Sequence, residues 1–192
     1  MWAARIVPLL LLGAPVAAGA QGPLGELEAA ELKCVYAELS EAERAMVVRI
    51  DRGDGSAEEL DQMTDMVHQH GEVCSERHGW DAPRMMAASS FAVARSVYED
   101  TIAKLPASLS PTSLDAAAAT LSNEDRFRFT SASKVEQGVD PAWRERVAAA
   151  LSAAGVAETD RAAAEFYLEV YHDALFAMQV FHDLWLQAHR DR

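Results

Sequence analysis

The fold is decided by residues 158–189, ETDRAAAEFYLEVYHDALFAMQVFHDLWLQAH, near the carboxyl end of the 192-residue chain. Apolar residues recur along this stretch every three or four positions, which predicts one long α-helix. A helix that is apolar on several sides usually lies in the middle of its domain, so we expect this helix to be central. Its six aromatic side chains are Phe166, Tyr167, Tyr171, Phe176, Phe181 and Trp185.

Start and stop signals divide the preceding chain into further helices, and no stretch of useful length has the alternation of a strand. The sequence therefore predicts an all-α protein in which residues 21–192 form a single domain, an irregular bundle of five to seven helices. The first two helices are expected to form an acidic hairpin, 26–78, and the remaining helices to occupy 81–190. The predicted helices before the last are 26–50 with a restart at Ser40, 56–78, 81–104, 110–121, a short helix within 122–138, and 140–154.

The two cysteines of the chain occupy positions that predict a disulfide. Cys34 and Cys74 lie 20 residues on either side of Asp54, the middle of the turn of the predicted hairpin. Positions equidistant from such a turn lie at the same height on the two helices. Small neighbouring residues allow the close approach that a disulfide needs, with Cα atoms about 4.4–6.8 Å apart. We expect a Cys34–Cys74 disulfide to join the two helices of the hairpin.

Residues 1–20 have the parts of a secretory signal peptide. Arg5 supplies a basic start, residues 6–12 are apolar, and the small residues 18–20 precede Gln21. The apolar run is shorter than the roughly 20 residues that span a bilayer, and we expect no membrane span after cleavage. The sequence therefore predicts a periplasmic or secreted protein, a setting that also permits the disulfide.

Negative charge is concentrated in the predicted hairpin. The net charge of the chain is −13, and removal of residues 1–20 takes away Arg5 and no acid, so it becomes −14. Residues 26–76 hold 14 acidic and 4 basic side chains. We expect no nucleic-acid partner, because an acidic chain repels phosphate instead of releasing its counterions.

The acidic hairpin leads to our first functional hypothesis, a non-enzymatic binding protein. A surface of one charge recognises a partner of the opposite charge, here a basic protein or peptide of the cell envelope. The alternative explanation is a solvated helix face that only aids solubility. The acidic residues that we predict to contact the partner are Glu38, Glu41, Asp61 and Asp65.

A second hypothesis is a periplasmic protein that binds or senses a transition metal. Thioether and imidazole groups suit copper, and imidazole also suits zinc and nickel. Methionines at helical spacing, however, more often fill gaps in a core, and the disulfide would remove Cys74 from any ligand set. The predicted metal ligands, all in the second helix, are Met66, His68, His70 and His78.

Catalytic motifs are absent from the sequence. It contains no G-x-S-x-G, no H-E-x-x-H and no glycine-rich phosphate loop. Glu169-x-x-His172 matches half of a di-iron carboxylate pattern, but the companion Asp65-x-x-His68 has the shorter carboxylate. We therefore predict that the protein is not an enzyme and needs no cofactor.

The signal peptide predicts that the exported protein begins at Gln21. Intact-mass spectrometry of the exported fraction should find a chain that lacks residues 1–20, because cleavage follows the A-x-A pattern. Ala18→Leu with Ala20→Leu should block cleavage and leave the 20.9 kDa precursor. Gly19→Leu is the control, at the position that the pattern leaves unrestricted. An exported chain that keeps residues 1–20 would contradict the prediction.

Overall fold

The computed structural model describes residues 30–133 and 140–190, and all regular elements within them are helical. The predicted signal peptide lies outside the described residues. Among the helices that the structure describes, none is both long and apolar enough to cross a membrane. The helices are α1 (Cys34–Glu38), α2 (Glu41–Asp51), α3 (Ala57–His78), α4 (Ala82–Ala103), α5 (Pro111–Ala119), α6 (Asn123–Phe127), α7 (Pro141–Ala153) and α8 (Arg161–Arg190), with a 3-10 turn at Glu158–Asp160.

The all-α class is confirmed, and the helix boundaries follow the capping signals in the sequence. Ser40 and Ser56 each begin a helix with a capping box, in which the serine Oγ and the glutamate three residues later satisfy each other's backbone N–H groups. Asp81 caps α4 in the same way, by accepting from the N–H of Arg84. Gly79 ends α3 with a φ of 65°, a conformation that favours glycine.

The predicted first helix, 26–50, is interrupted in the structure. Leu39 has extended backbone with a ψ of 124°, and the capping box of Ser40 then starts α2 as a separate helix. The restart expected at Ser40 is therefore present, and it divides the predicted first helix into separate helices. The interruption places Val35 and Leu39 in the core on one side of the break and Val47 on the other.

The Cys34–Cys74 disulfide is present and joins α1 to α3, with 6.0 Å between the two Cα atoms. Both cysteines are buried in a core cluster with Leu32, Val35 and Phe181. The disulfide therefore joins α3 to the short helix α1, which also packs against α4.

Helix α4 contacts α1, α2 and α3 as well as α8. It runs antiparallel to α8: Phe91 shares a cluster with Phe181, and Tyr98 packs against Tyr167 further along. Helix α8 was expected to be central, and in the structure it shares that position with α4. Helix α8 contributes to the cluster around the disulfide with its second half and to the cluster beneath α5 and α7 with its first half.

The disulfide should stabilise the fold chiefly by restricting the unfolded chain. For two cysteines 40 positions apart, the chain-entropy relation gives about 4 kcal/mol. We expect Cys34→Ala with Cys74→Ala to lower the free energy of unfolding in urea by about 3–4 kcal/mol at unchanged helix content. Reduced wild-type protein is the control and should have the midpoint of the variant. A variant as stable as the oxidised wild type would refute this account.

Candidate functional site

A groove of about 890 Å³ lies over α4, between α3 and α8. We call it the α4 groove. Helix α4 forms its floor, and α3 and α8 form its two walls. Its lining includes Met63, Thr64, Val67 and His68 of α3, Pro83, Met85, Met86, Ser89, Ser90, Val93, Ala94 and Val97 of α4, and Glu169, Val170, Asp173, Phe176, Ala177, Val180 and Leu184 of α8.

The α3 wall can approach the floor because Gly71 has no side chain. A Cβ atom at Gly71 would lie 3.0 Å from both the Met85 Cγ and the Ser89 Oγ. This glycine therefore serves the contact between α3 and α4.

Two of the apolar side chains that line the groove are exposed. Met86 on the floor is 65% exposed and Phe176 on the α8 wall is 38% exposed, while Val67, Val97 and Val170 of the lining are buried. Apolar residues exposed together in a concave surface are typical of a binding site, whereas isolated ones need no explanation. The α4 groove is thus an apolar surface that the described residues leave uncovered.

Carboxylates are gathered at one end of the groove. Asp51, Glu169 and Asp173 all line it. Asp173 is held in place by Ser131, whose backbone N–H and Oγ–H each donate to its carboxylate at 2.7 Å. Val97 and Val170, packed in one small cluster, mark this end, which we call the acidic end.

The opposite end of the groove is apolar. Since α4 and α8 are antiparallel, the groove runs from Val97 and Val170 at the acidic end to Pro83 and Leu184 at the other. His68 is the one basic side chain among the described lining residues, which include no lysine or arginine. The groove therefore combines an apolar floor with negative charge at one end.

The four acidic residues predicted to bind a partner do not share one surface. Glu38 makes an ion pair with Arg77 of α3 at 2.8 Å. At 100° per residue, Arg77 lies about 120° around α3 from Asp65. Asp61 and Asp65 are exposed on the side of α3 next to the groove residues Thr64 and His68.

Glu41 is exposed in the first turn of α2, and it is absent from the groove lining. The predicted acidic set thus divides into Asp61 and Asp65, which border the α4 groove, and Glu38 and Glu41 elsewhere. Only the first pair adds negative charge to the rim of the groove.

The predicted metal ligands are directed to different surroundings. His70 pairs with Glu43 of α2 at 3.1 Å, and hydrogen bonds from Ser40 and His70 lower the pKa of Glu43 to about 2. His68 is exposed beside Glu72 at 3.4 Å. His68 and His70 differ by about 160° around α3, because two residues advance the helix by about 200°.

The other two predicted metal ligands, Met66 and His78, also have surroundings different from those of His68 and His70. His78 stacks on Trp80 with 5.2 Å between ring centroids, and Met66 packs against core clusters. Within the described ranges, no group of three or more histidine, cysteine, aspartate or glutamate side chains could hold a metal ion. Cys74, midway between His70 and His78, is in the disulfide.

Glu169 and His172, the two residues of the half di-iron pattern, do not both line the groove. Glu169 lines the groove, whereas His172 is 7% exposed and stacked on Phe129, and its Nδ1 is 2.7 Å from the carbonyl oxygen of Leu168. Burial lowers the pKa of His172 below its ordinary value. His172 therefore has the environment of a neutral core histidine.

The groove serines do not form a nucleophile with a histidine base. Among the described residues, His68 pairs with Glu72, and no hydrogen bond joins it to Ser89 or Ser90. A hydroxyl nucleophile needs an adjacent base within hydrogen-bond reach.

The sequence reasoning missed the α8 wall, although a signal was present. Positions 169, 173, 176, 180 and 184 recur at spacings of four, three, four and four, which places them along one side of the helix. Acidic residues occupy the first two positions and apolar residues the other three. A mixed stripe of this kind indicates a side of the helix that is only partly buried: Val180 and Leu184 pack against the core, and Glu169 and Asp173 line the groove.

Comparison of the chain with known proteins finds no matching family model, no matching curated protein and no matching solved structure.

Burial of neutral His172 predicts a pH dependence of stability. The pKa of this group is lower in the folded protein than the 6.5 of an unfolded chain, so the unfolded state binds more protons as the pH falls through 6.5. Stability should therefore fall as the pH drops below about 7, by up to about 1.4 kcal/mol per pH unit from this one group. His172→Gln should make that dependence shallower in urea unfolding, and His68→Gln, an exposed control, should not. If the free energy of unfolding of His172→Gln depended on pH as steeply as that of the wild type, His172 would not be the source of the dependence.

Proposed function

We propose that the protein is an exported, non-enzymatic binding protein that holds a basic protein or peptide of the cell envelope in the α4 groove. One observation carries the proposal: a groove of about 890 Å³ combines exposed apolar side chains with carboxylates, and its described lining lacks lysine and arginine. Such a surface attracts a partner that is both apolar and positively charged.

Export is supported by the signal-peptide pattern of residues 1–20 and by the disulfide, which persists in oxidising compartments. A binding role is supported by the character of the lining. Methionine side chains adapt to irregular partners, and Met63, Met85 and Met86 all line the groove. Apolar residues supply most of the affinity at such surfaces, while rim charges such as Asp61 and Asp65 steer the encounter.

The proposal revises the contact surface expected from sequence. In this proposal the negative charge of the hairpin still attracts the basic partner. The side chains that supply this charge are Asp61 and Asp65, beside the groove. Glu38 is assigned a structural role, because its ion pair with Arg77 lies next to the disulfide, where Arg77 also donates to the Cys34 Sγ.

Photo-crosslinking in the producing cells tests the proposal. Benzoylphenylalanine placed at the exposed groove residue Ser90 should form a discrete adduct with an envelope protein, whereas the same group at exposed Ala149 of α7 should not. Adduct formation should fall about fivefold with Asp61→Lys and Asp65→Lys together, because two attractive rim charges become repulsive.

Glu41→Lys is the matched control, since it reverses an exposed acidic charge of the same hairpin away from the groove. It should leave the Ser90 adduct unchanged. Equal adducts from Ser90 and Ala149 would count against the groove as the contact surface. An adduct that ignores both the paired reversal and high salt would count against a basic partner.

A further inference from the structure

We propose that Met86 is an oxidation site, at which hydrogen peroxide converts the thioether to a sulfoxide and thereby weakens binding in the α4 groove. The position of the site follows from the exposure and the chemistry of the side chains in the structure. Its effect on binding rests on the proposed function, to which it adds a chemical modification that lowers the affinity for the partner.

Met86 is the most accessible methionine in the part of the chain that the structure describes. It is 65% exposed, on the floor of the groove. The other described methionines are only partly exposed: Met46, Met63, Met66, Met85 and Met178. Four of these five pack against the core cluster around the disulfide. Susceptibility to oxidation follows the access that the oxidant has to the sulfur, so Met86 should react first.

No free thiol competes with Met86 for the oxidant. The chain has two cysteines, and both are buried and joined in the Cys34–Cys74 disulfide. Thiolates and thioethers are the sulfur groups that a peroxide oxidises. With both thiols in the disulfide, the thioethers of methionine are the remaining targets of this chemistry.

The reaction balances without any group from the protein other than the sulfur. The Met86 Sδ donates an electron pair to one oxygen of hydrogen peroxide, an S–O bond forms, and the O–O bond breaks. The other oxygen takes up the proton of the transferred oxygen and leaves as water. The sulfur is thereby oxidised by two electrons, the peroxide is reduced, and the side chain gains one oxygen atom.

A sulfoxide changes the character of the groove floor at its apolar end. Met86 lies three residues after Pro83, which lines that end together with Leu184. The sulfoxide is polar, whereas the thioether that it replaces is apolar. An apolar partner that covers the sulfoxide oxygen removes it from water, which costs free energy wherever no hydrogen-bond donor replaces the water. The oxidised groove therefore binds the partner more weakly.

Peptide mapping by mass spectrometry tests the site. Folded protein is treated with a limiting amount of hydrogen peroxide, and each methionine is scored for a gain of about 16 Da. Met86 should be oxidised at least about fivefold faster than Met85, the adjacent and only partly exposed control. In urea, where both side chains are exposed, the two rates should become equal. Equal rates in the folded protein, or faster oxidation of any other described methionine, would overturn the assignment.

Variants at position 86 test the effect on binding. Both Met86→Leu and Met86→Gln should fold, because the side chain is 65% exposed. Leucine is apolar, has a similar volume and cannot be oxidised, whereas glutamine imitates the polarity of the sulfoxide. Benzoylphenylalanine replaces Phe176 on the α8 wall of the groove. The adduct yield in cells should be at least about threefold lower for Met86→Gln than for Met86→Leu.

Peroxide treatment before irradiation connects the oxidation to the loss of binding. It should lower the adduct yield of a chain with Met86 at least about threefold. It should leave the yield of Met86→Leu at its untreated level, since no thioether remains at position 86. Met46→Leu is the matched control: Met46 is partly exposed in α2 and is absent from the groove lining, so this variant should respond to peroxide like the wild type.

The outcomes separate this inference from the proposed function. Adducts from both Ser90 and Phe176 that ignore peroxide and Met86→Gln would retain the proposed function and overturn the effect of oxidation on binding. A loss of adduct under peroxide that persists in Met86→Leu would assign the effect to another residue and overturn the role of Met86. No adduct from either position, with selective oxidation of Met86 in the peptide map, would reject the proposed function and the effect on binding and retain the oxidation site.

Discussion

Small side chains along α4 allow α8 to lie against it over most of its length, and this antiparallel contact positions the other elements. Ala87, Ala88 and Ala92 are buried on α4 and bring its backbone close to its neighbours. Helix α8, 30 residues long, extends beyond this contact to a second cluster around Tyr167 and Leu168. The disulfide-linked α1 and α3 pack on α4, and α5 and α7 pack on the first half of α8.

The α4 groove is a consequence of this arrangement. Helices α3 and α8 both contact α4, and the groove between them leaves one side of α4 without a covering helix among the described residues. Core side chains fill the other sides. Met86 and Phe176 are exposed in the groove, and the disulfide joins its α3 wall to α1.

The helical elements could be predicted from sequence with little loss, because their signals are local. Ser40, Ser56 and Asp81 each accept a hydrogen bond from the backbone N–H three residues later, and Gly79 supplies a left-handed backbone. The disulfide could also be predicted, since two positions equally far from the turn of a helical hairpin lie opposite each other on its two helices. The candidate site could not, because Asp51 and Glu169 are 118 positions apart and no local pattern relates them.

The sequence by itself determined the all-α class, the ends of the helices, the Cys34–Cys74 pairing and the concentration of negative charge in residues 26–76. Only the tertiary structure decided which acidic side chains act together: it separated Glu38 from Asp61 and placed Asp173 in the same groove as Met86. The physical reason is that periodicity and capping act within one helix. The direction in which a helix face points depends on the neighbours that bury its other faces.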